Sequence, residues 1–199
     1  MITADSAILA APRATLEQCS RFMLARPYGA YHYCDIHDVI LPSYFDLCEL
    51  VGVDPCLAIA QLIHETGNLT SWWSQRPRRN PAGIGVTGHS QAWKPAIIVP
   101  GQAWAHHPDG TWHEGLSFGD WCKGSVPAHV GRLLAYALRD DQANPAQQLL
   151  IRRALAWRPL PSSYRGAAPT LAGLRGRWAV PGTDYPDKLA AIARAIQRA

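Results

Sequence analysis

Apolar residues recur at helical spacing through most of the chain, and one central stretch breaks the pattern. A first helix is predicted after Thr15, an N-cap candidate, running to about Ala25. The segment "IHDVILPSYFDLCELVG" reads as helical, with Pro42 as an internal break or restart. Asp54 then caps a helix that opens on Pro55, carries "CLAIAQLI", and stops at Gly67. That helix is apolar nearly all round, which predicts burial. Residues 68–116 are rich in Pro, Gly, Trp and His and predict a small β or loop lobe. Short extended pieces are expected there at Ala96–Val99 and Ala103–His106, with a turn at "HPDG".

Helical spacing resumes in "SVPAHVGRLLAYALRD", with Ser125 as cap candidate and Val126, Val130, Leu133, Leu134 and Leu138 on one side. Another helix starts at Asn144 and Pro145, and a last one spans Pro186 to Gln197. The fold class is therefore mainly α (α+β). A single domain over 1–199, carrying the irregular lobe at about 68–116, is expected to be monomeric.

Composition narrows the function. Apolar content is 48%, and no apolar run approaches the roughly 20 residues that span a bilayer, so no membrane association is expected. The N-terminus "MITADSAILAAPRATLEQ" shows no basic start followed by an apolar core, so no secretory signal is read there. Net charge is +4 and is carried almost wholly by arginine, the lysines being Lys94, Lys123 and Lys188. The arginines are scattered and no helix-turn-helix or RNA-binding signature accompanies them, so nucleic acid is not an expected partner. Cys19, Cys34, Cys48, Cys56 and Cys122 form no CxxC pair and are expected to be free thiols, with one disulfide left open.

Of the glutamates, Glu17 suits the first turn of its helix and Glu49 a solvent-facing position, whereas Glu65 is a misfit. It closes a buried helix in the last turn, where both burial and the helix dipole disfavour a negative charge. A raised pKa follows, as a general acid at neutral pH requires. The competing reading is a side chain that turns to solvent or bonds the backbone of "GNLTS". "HETGN" lacks the second His of an HExxH zinc motif, because position 68 is Asn. His89, His106, His107 and His113 offer zinc ligands, but adjacent His106 and His107 point to opposite sides of an extended segment, so no metal is assigned. Among the eight tryptophans, Trp72, Trp73, Trp93, Trp104, Trp112 and Trp121 gather in or beside the lobe, where flat faces suit sugar rings as well as a core.

These residues, "DPCLAIAQLIHETGNLTSWW" followed by "NPAGIGVTG", resemble the glucosaminidase domain of glycoside hydrolase family 73, the mannosyl-glycoprotein endo-beta-N-acetylglucosaminidase-like family. "GLSFGDWCKGSVPAHVGRLL" and "RWAVPGTDYPDKLAAI" resemble two later family segments, in the same order, and the likeness spans about residues 12–197. The resemblance implies a lysozyme-like fold with a small β-lobe. It implies hydrolysis of the β-1,4 bond after N-acetylglucosamine in peptidoglycan, without a cofactor, by an enzyme acting outside the cell or at its wall. It places the general acid on Glu65 and a substrate-binding segment on Asn80, Gly83 and Ile84. The family's functional tyrosine falls on Trp178, with Tyr185 matching the next aromatic as a catalytic or orienting group. A second catalytic carboxylate is expected from the lobe at Glu114, with Asp109 and Asp120 as rivals, and Trp72, Trp73 and Trp178 as the sugar-binding wall. Two other readings are kept: a zinc-dependent wall amidase using His106, His107 or His113, and a non-catalytic glycan-binding relative.

Overall fold

The computed structural model describes residues 1–180 and 182–199. Among the described residues six α-helices surround a core, and a three-stranded sheet stands to one side. The sequence-predicted helix ends come from local caps. Helix α1 (Leu16–Leu24) begins with a capping box in which Thr15 and Gln18 satisfy each other's backbone N–H. Helix α2 (Leu41–Val51) ends on Gly52 in the left-handed region. Helix α3 (Pro55–Thr66) starts where the Asp54 carboxylate accepts the Cys56 N–H, and stops at Gly67, φ 57°. Helix α4 (Val126–Ala137) packs along α5 (Pro145–Trp157), which opens with an Asn144/Gln147 capping box. Helix α6 (Tyr185–Gln197) begins one residue before the expected Pro186.

Two wide helical turns each lead into a helix whose second residue is a proline. Asp35–Ile40 forms a π-helical turn directly before α2, whose second residue is Pro42. Trp121–Ser125 does the same before α4, whose second residue is Pro127. A proline ring crowds the carbonyl four residues back and has no N–H to give it, and a wider turn relieves both problems. Pro42 therefore restarts a helix without breaking the path. The second turn corrects the assignment of Ser125 as a cap. Asp120 caps the turn through the Lys123 N–H, while the Ser125 hydroxyl donates to the carbonyls of Arg79 and Asp120 at 2.7 and 3.0 Å.

Helix α3 is the centre of the molecule. All its residues but His64 and Glu65 are buried, and it packs on α1, α2, α4 and α6. Gly131 lets α5 lie close against α4, since a Cβ there would sit 2.7 Å from the Leu150 carbonyl oxygen. Cys19, Cys48 and Cys56 are core thiols, and all five cysteines are unpaired. Burial raises the Cys19 pKa to about 12.

The lobe holds the strands β1 (Ser90–Gln91), β2 (Trp104–His106) and β3 (Trp112–Glu114), antiparallel in the order β1-β3-β2. β2 and β3 are joined by the expected turn, in which His107 N–H donates to the Thr111 carbonyl at 2.8 Å. Ala96–Val99, expected as extended, lies outside the sheet. Pro95 and Pro100 bracket it, and Ile97, Ile98 and Val99 are exposed. No helix among the described residues is long and apolar enough to cross a membrane.

Candidate active site

Glu65 sits in the last turn of α3, its side chain leaving the core toward a groove of about 580 Å³. The chain behind it is tied off firmly. Thr66 Oγ1 donates to the Leu62 carbonyl at 2.6 Å and accepts the Leu69 N–H at 2.8 Å. Gly67, Asn68 and Leu69 then run through the left-handed region in succession, with φ of 57°, 56° and 67°. Asn68 holds this turn by donating to the carbonyls of Met23 and Pro27. The turn delivers Trp73 to one side of the groove.

Burial raises the Glu65 pKa above that of an ordinary carboxyl; the Tyr185 hydroxyl, and to a lesser degree Trp178, pull it back down. Tyr185 Oη donates to Glu65 Oε1 at 2.5 Å. Gly83, at φ +61°, faces the other oxygen, Oε2, and an added Cβ would lie 3.8 Å from it. One oxygen of the carboxyl is thus fixed by the protein, and the other faces the groove.

Tyr185 is itself held by a buried chain of polar groups. Gln61 Nε2 donates to Tyr185 Oη at 2.7 Å. His129 Nε2 lies 2.9 Å from Gln61 Oε1, and the Tyr44 hydroxyl lies 2.7 Å from His129 Nδ1. An amide oxygen only accepts, so His129 Nε2 carries the proton and Nδ1 accepts from Tyr44. Every bond in the chain therefore points the same way, from Tyr44 through His129, Gln61 and Tyr185 to Glu65. Burial pushes the His129 pKa down to about 3, keeping the imidazole neutral and this tautomer fixed.

The wall opposite Glu65 is the segment 80–86. Asn80 is fully buried, and its amide bonds four backbone groups: Ala82 N–H, Ile84 N–H and the carbonyls of Ile84 and Leu116. Those bonds exhaust its donors and acceptor lone pairs. Asn80 shapes the wall that Gly83 and Ile84 present, and reaches a ligand through that wall. Trp178 lines the groove beside Glu65 and packs on Tyr136 and His129, with ring centroids 5.4 and 5.8 Å apart.

Glu65, Trp73, Asn80, Gly83, Ile84 and Trp178 thus meet at one groove, and Tyr185 stands directly behind Glu65. Trp72 and Glu114 are not part of its lining. Trp72 packs edge-on to Trp73, is covered by the Arg78 guanidinium at 3.7 Å, and contacts His107. Glu114 is 3% exposed; its Oε2 accepts from Thr87 Oγ1 at 2.5 Å and lies 3.4 Å from His89 Nδ1. Asp120 caps a helical turn. Among the described residues Glu65 is the only carboxylate in the lining.

His107, Asp109 and His113 bring one ligand atom each within 4.8 Å of one another on the β2–β3 hairpin, and the His106 ring instead lies tilted against Trp112, centroids 5.2 Å apart. Asp109 already accepts from the Thr111 N–H and hydroxyl, while His113 Nε2 is 2.8 Å from Thr111 Oγ1. The cluster reads as the closure of the turn. Its residues are absent from the Glu65 groove.

The sequence reading missed Tyr44, Gln61 and His129, and also Arg132, Arg158 and Arg177, which line the groove. Gln61 and His129 carried one signal: polar residues inside apolar helical stretches.

No protein-family model matches the chain, and no curated protein matches it either. Among solved structures it is similar to the catalytic domain of the autolysin Auto from Listeria monocytogenes. The two share 17% identity over 93% of this chain and 96% of that one, with a TM-score of 0.44.

Proposed function

We propose that this protein is a glycoside hydrolase that cuts the β-1,4 bond after N-acetylglucosamine in peptidoglycan, with Glu65 as the general acid. The observation that carries the reading is the Glu65 carboxyl itself. It is desolvated, its pKa is raised, one oxygen is fixed by Tyr185, and the other faces a groove flanked by tryptophans. The sequence resemblance to glucosaminidase domains converges on the same residue.

In this reading the glycan lies across Trp73 and Trp178, whose flat faces cover sugar rings. Glu65 donates its proton to the glycosidic oxygen as C–O cleavage builds an oxocarbenium-like state. Tyr185 then stabilises the carboxylate left behind, a charge that exists only after proton transfer. A cation on the sugar needs an electron donor on its other face. With Glu65 the only carboxylate in the lining among the described residues, that donor is the substrate's own acetamido oxygen, which closes a ring onto C1 as the leaving sugar departs. Water, giving its proton to the Glu65 carboxylate, then attacks C1 and reopens the ring, with net retention. Glu114 supports the wall through Thr87.

The experiment is digestion of purified peptidoglycan, with mass spectrometry of the fragments. A new reducing end on N-acetylglucosamine supports the proposal. Reducing ends on the muramyl sugar, or released peptides with intact glycan, contradict it.

A further inference from the structure

Resting on the reading of the groove as a glycan site, we infer that Arg132, Arg158 and Arg177 form a carboxylate-binding subsite beside Glu65. It selects glycans whose sugar bears an acidic substituent.

The three arginines come from α4, from the residue after α5, and from the segment before Trp178, and all line the groove. Each is anchored by one N–H to a carbonyl: Arg132 to Arg158 at 2.9 Å, Arg158 to Gly101 at 2.8 Å, Arg177 to Gly173 at 2.9 Å. A guanidinium has five N–H donors, so each keeps several for a ligand. Among the described residues none of the three pairs with a carboxylate, whereas Arg13, Arg76, Arg139, Arg165 and Arg175 each pair with an aspartate. Other arginines, such as Arg21, Arg26, Arg152 and Arg198, also lack an ion pair among the described residues; what sets these three apart is that they line one groove together.

The arrangement disfavours its own charge. Arg132 is half-buried, and burial opposes its protonated form; Tyr136 offsets part of this, and the neighbouring Arg158 adds a smaller opposing effect. Its guanidinium lies 5.7 Å from the Tyr136 ring and 5.9 Å from the Trp178 ring, which fixes where it points. Glu65 makes no ion pair with any of the three among the described residues, its Oε1 being taken by the Tyr185 hydroxyl. Partly buried guanidinium groups lining one groove without an anion favour binding one, and a planar guanidinium fork matches a carboxylate. A plain N-acetylglucosamine chain offers no anion. A muramyl sugar offers one in its lactyl ether, free or extended by a peptide that carries carboxylates of its own. Trp178 lies 5.9 Å from the Arg132 guanidinium and lines the groove with Glu65, so the acidic sugar sits next to the bond being cut.

The test is calorimetric binding to the Glu65→Gln protein, which is expected to hold substrate without cutting it. Three saccharides of equal length are compared: a neutral N-acetylglucosamine oligomer, a muramyl glycan with free lactyl carboxylates, and a peptide-bearing muramyl glycan. At least one carboxylated glycan is expected to bind about tenfold tighter than the neutral one, and the preference should shrink as salt is raised. The two carboxylated arms show whether the lactyl group or the peptide supplies the anion. Arg132→Gln, Arg158→Gln and Arg177→Gln should each reduce the preference by about two- to threefold, as a share of the tenfold whole, whereas Arg198→Gln, on the exposed C-terminal end, keeps it. Where Arg132→Gln unfolds, Arg132→Lys keeps the stem and charge but loses the fork, and should still weaken the preference. Equal affinity for all three saccharides, or a preference untouched by the arginine changes, overturns the inference while leaving Glu65 its role. Absence of binding by every saccharide overturns both.

Discussion

Replacing Tyr185 by Phe removes one hydroxyl from beneath the Glu65 carboxyl and little else from the packing. The lost bond is the one from Tyr185 Oη to Glu65 Oε1, which favours the ionised carboxylate. A hydrogen bond to a charged group is worth about 1.5–3 kcal/mol. Glu65 is only half-buried, so the lower end applies. At about 1.4 kcal/mol per pH unit, the Glu65 pKa should rise by about one unit. A general acid works while protonated, and its rate falls as pH passes its pKa. The alkaline limb of kcat/KM should therefore move up by about one pH unit in Tyr185→Phe. Maximal kcat should fall as well, because the carboxylate formed on proton transfer loses its stabiliser. The substitution also strips Gln61 Nε2 of its acceptor, which costs about 1–3 kcal/mol of stability and several degrees of Tm. The assay is a pH series on a soluble peptidoglycan fragment, with a carbon-13 titration of the Glu65 carboxyl as a readout independent of turnover. An alkaline limb that stays put, or moves down, refutes the coupling between Tyr185 and the acid.

Three further outcomes follow from the same geometry. The folded-state pKa of His129 is about 3 against an ordinary 6.5, so its contribution to stability is present above pH 6.5 and lost as pH falls toward 3. Urea melts between pH 6.5 and 4 should show a loss of up to about 1.4 kcal/mol per pH unit, and His129→Gln should flatten that slope; an unchanged slope removes His129 as the cause. Glu114→Gln should keep at least about a tenth of wild-type kcat, since a positioned acid or base is worth about 10²–10⁴ and Glu114 is off the groove; a deeper loss returns to it the second catalytic role. Dialysis against a chelator should leave glycan cleavage intact, whereas loss restored by zinc alone favours a metal-dependent hydrolase at His107, Asp109 and His113.

Much of this architecture is legible in the sequence where the deciding physics is local. Asp54, Pro55 and Gly67 fix both ends of α3 through interactions spanning a few residues. Thr15 with Gln18, and Asn144 with Gln147, do the same for α1 and α5. Glu65 stands out because a carboxyl at the end of an apolar helix contradicts both burial and dipole. The lobe is harder to read because its strands are two or three residues long and depend on partners distant in sequence. Apolar Ile97, Ile98 and Val99 mimic a strand, yet the prolines on either side and an exposed path keep them outside the sheet. Ser125 resembles a cap because the π-helical turn before Val126 moves the true start back to Asp120. The chain of groups behind Glu65 joins residues as many as 124 positions apart. No spacing rule links Gln61 to Tyr185 or His129; only the packing of α3 against α4 and α6 does. The same holds for Arg132, Arg158 and Arg177, which look scattered in the sequence and converge in the fold.

The central claim is that the proton on Glu65 drives glycan cleavage, and a side-by-side assay of wild type and Glu65→Gln on purified peptidoglycan tests it most directly. Release of reducing ends should fall at least about a hundredfold in the variant, with an unchanged circular-dichroism spectrum. A correctly folded Glu65→Gln protein that still releases reducing ends at the wild-type rate contradicts the account.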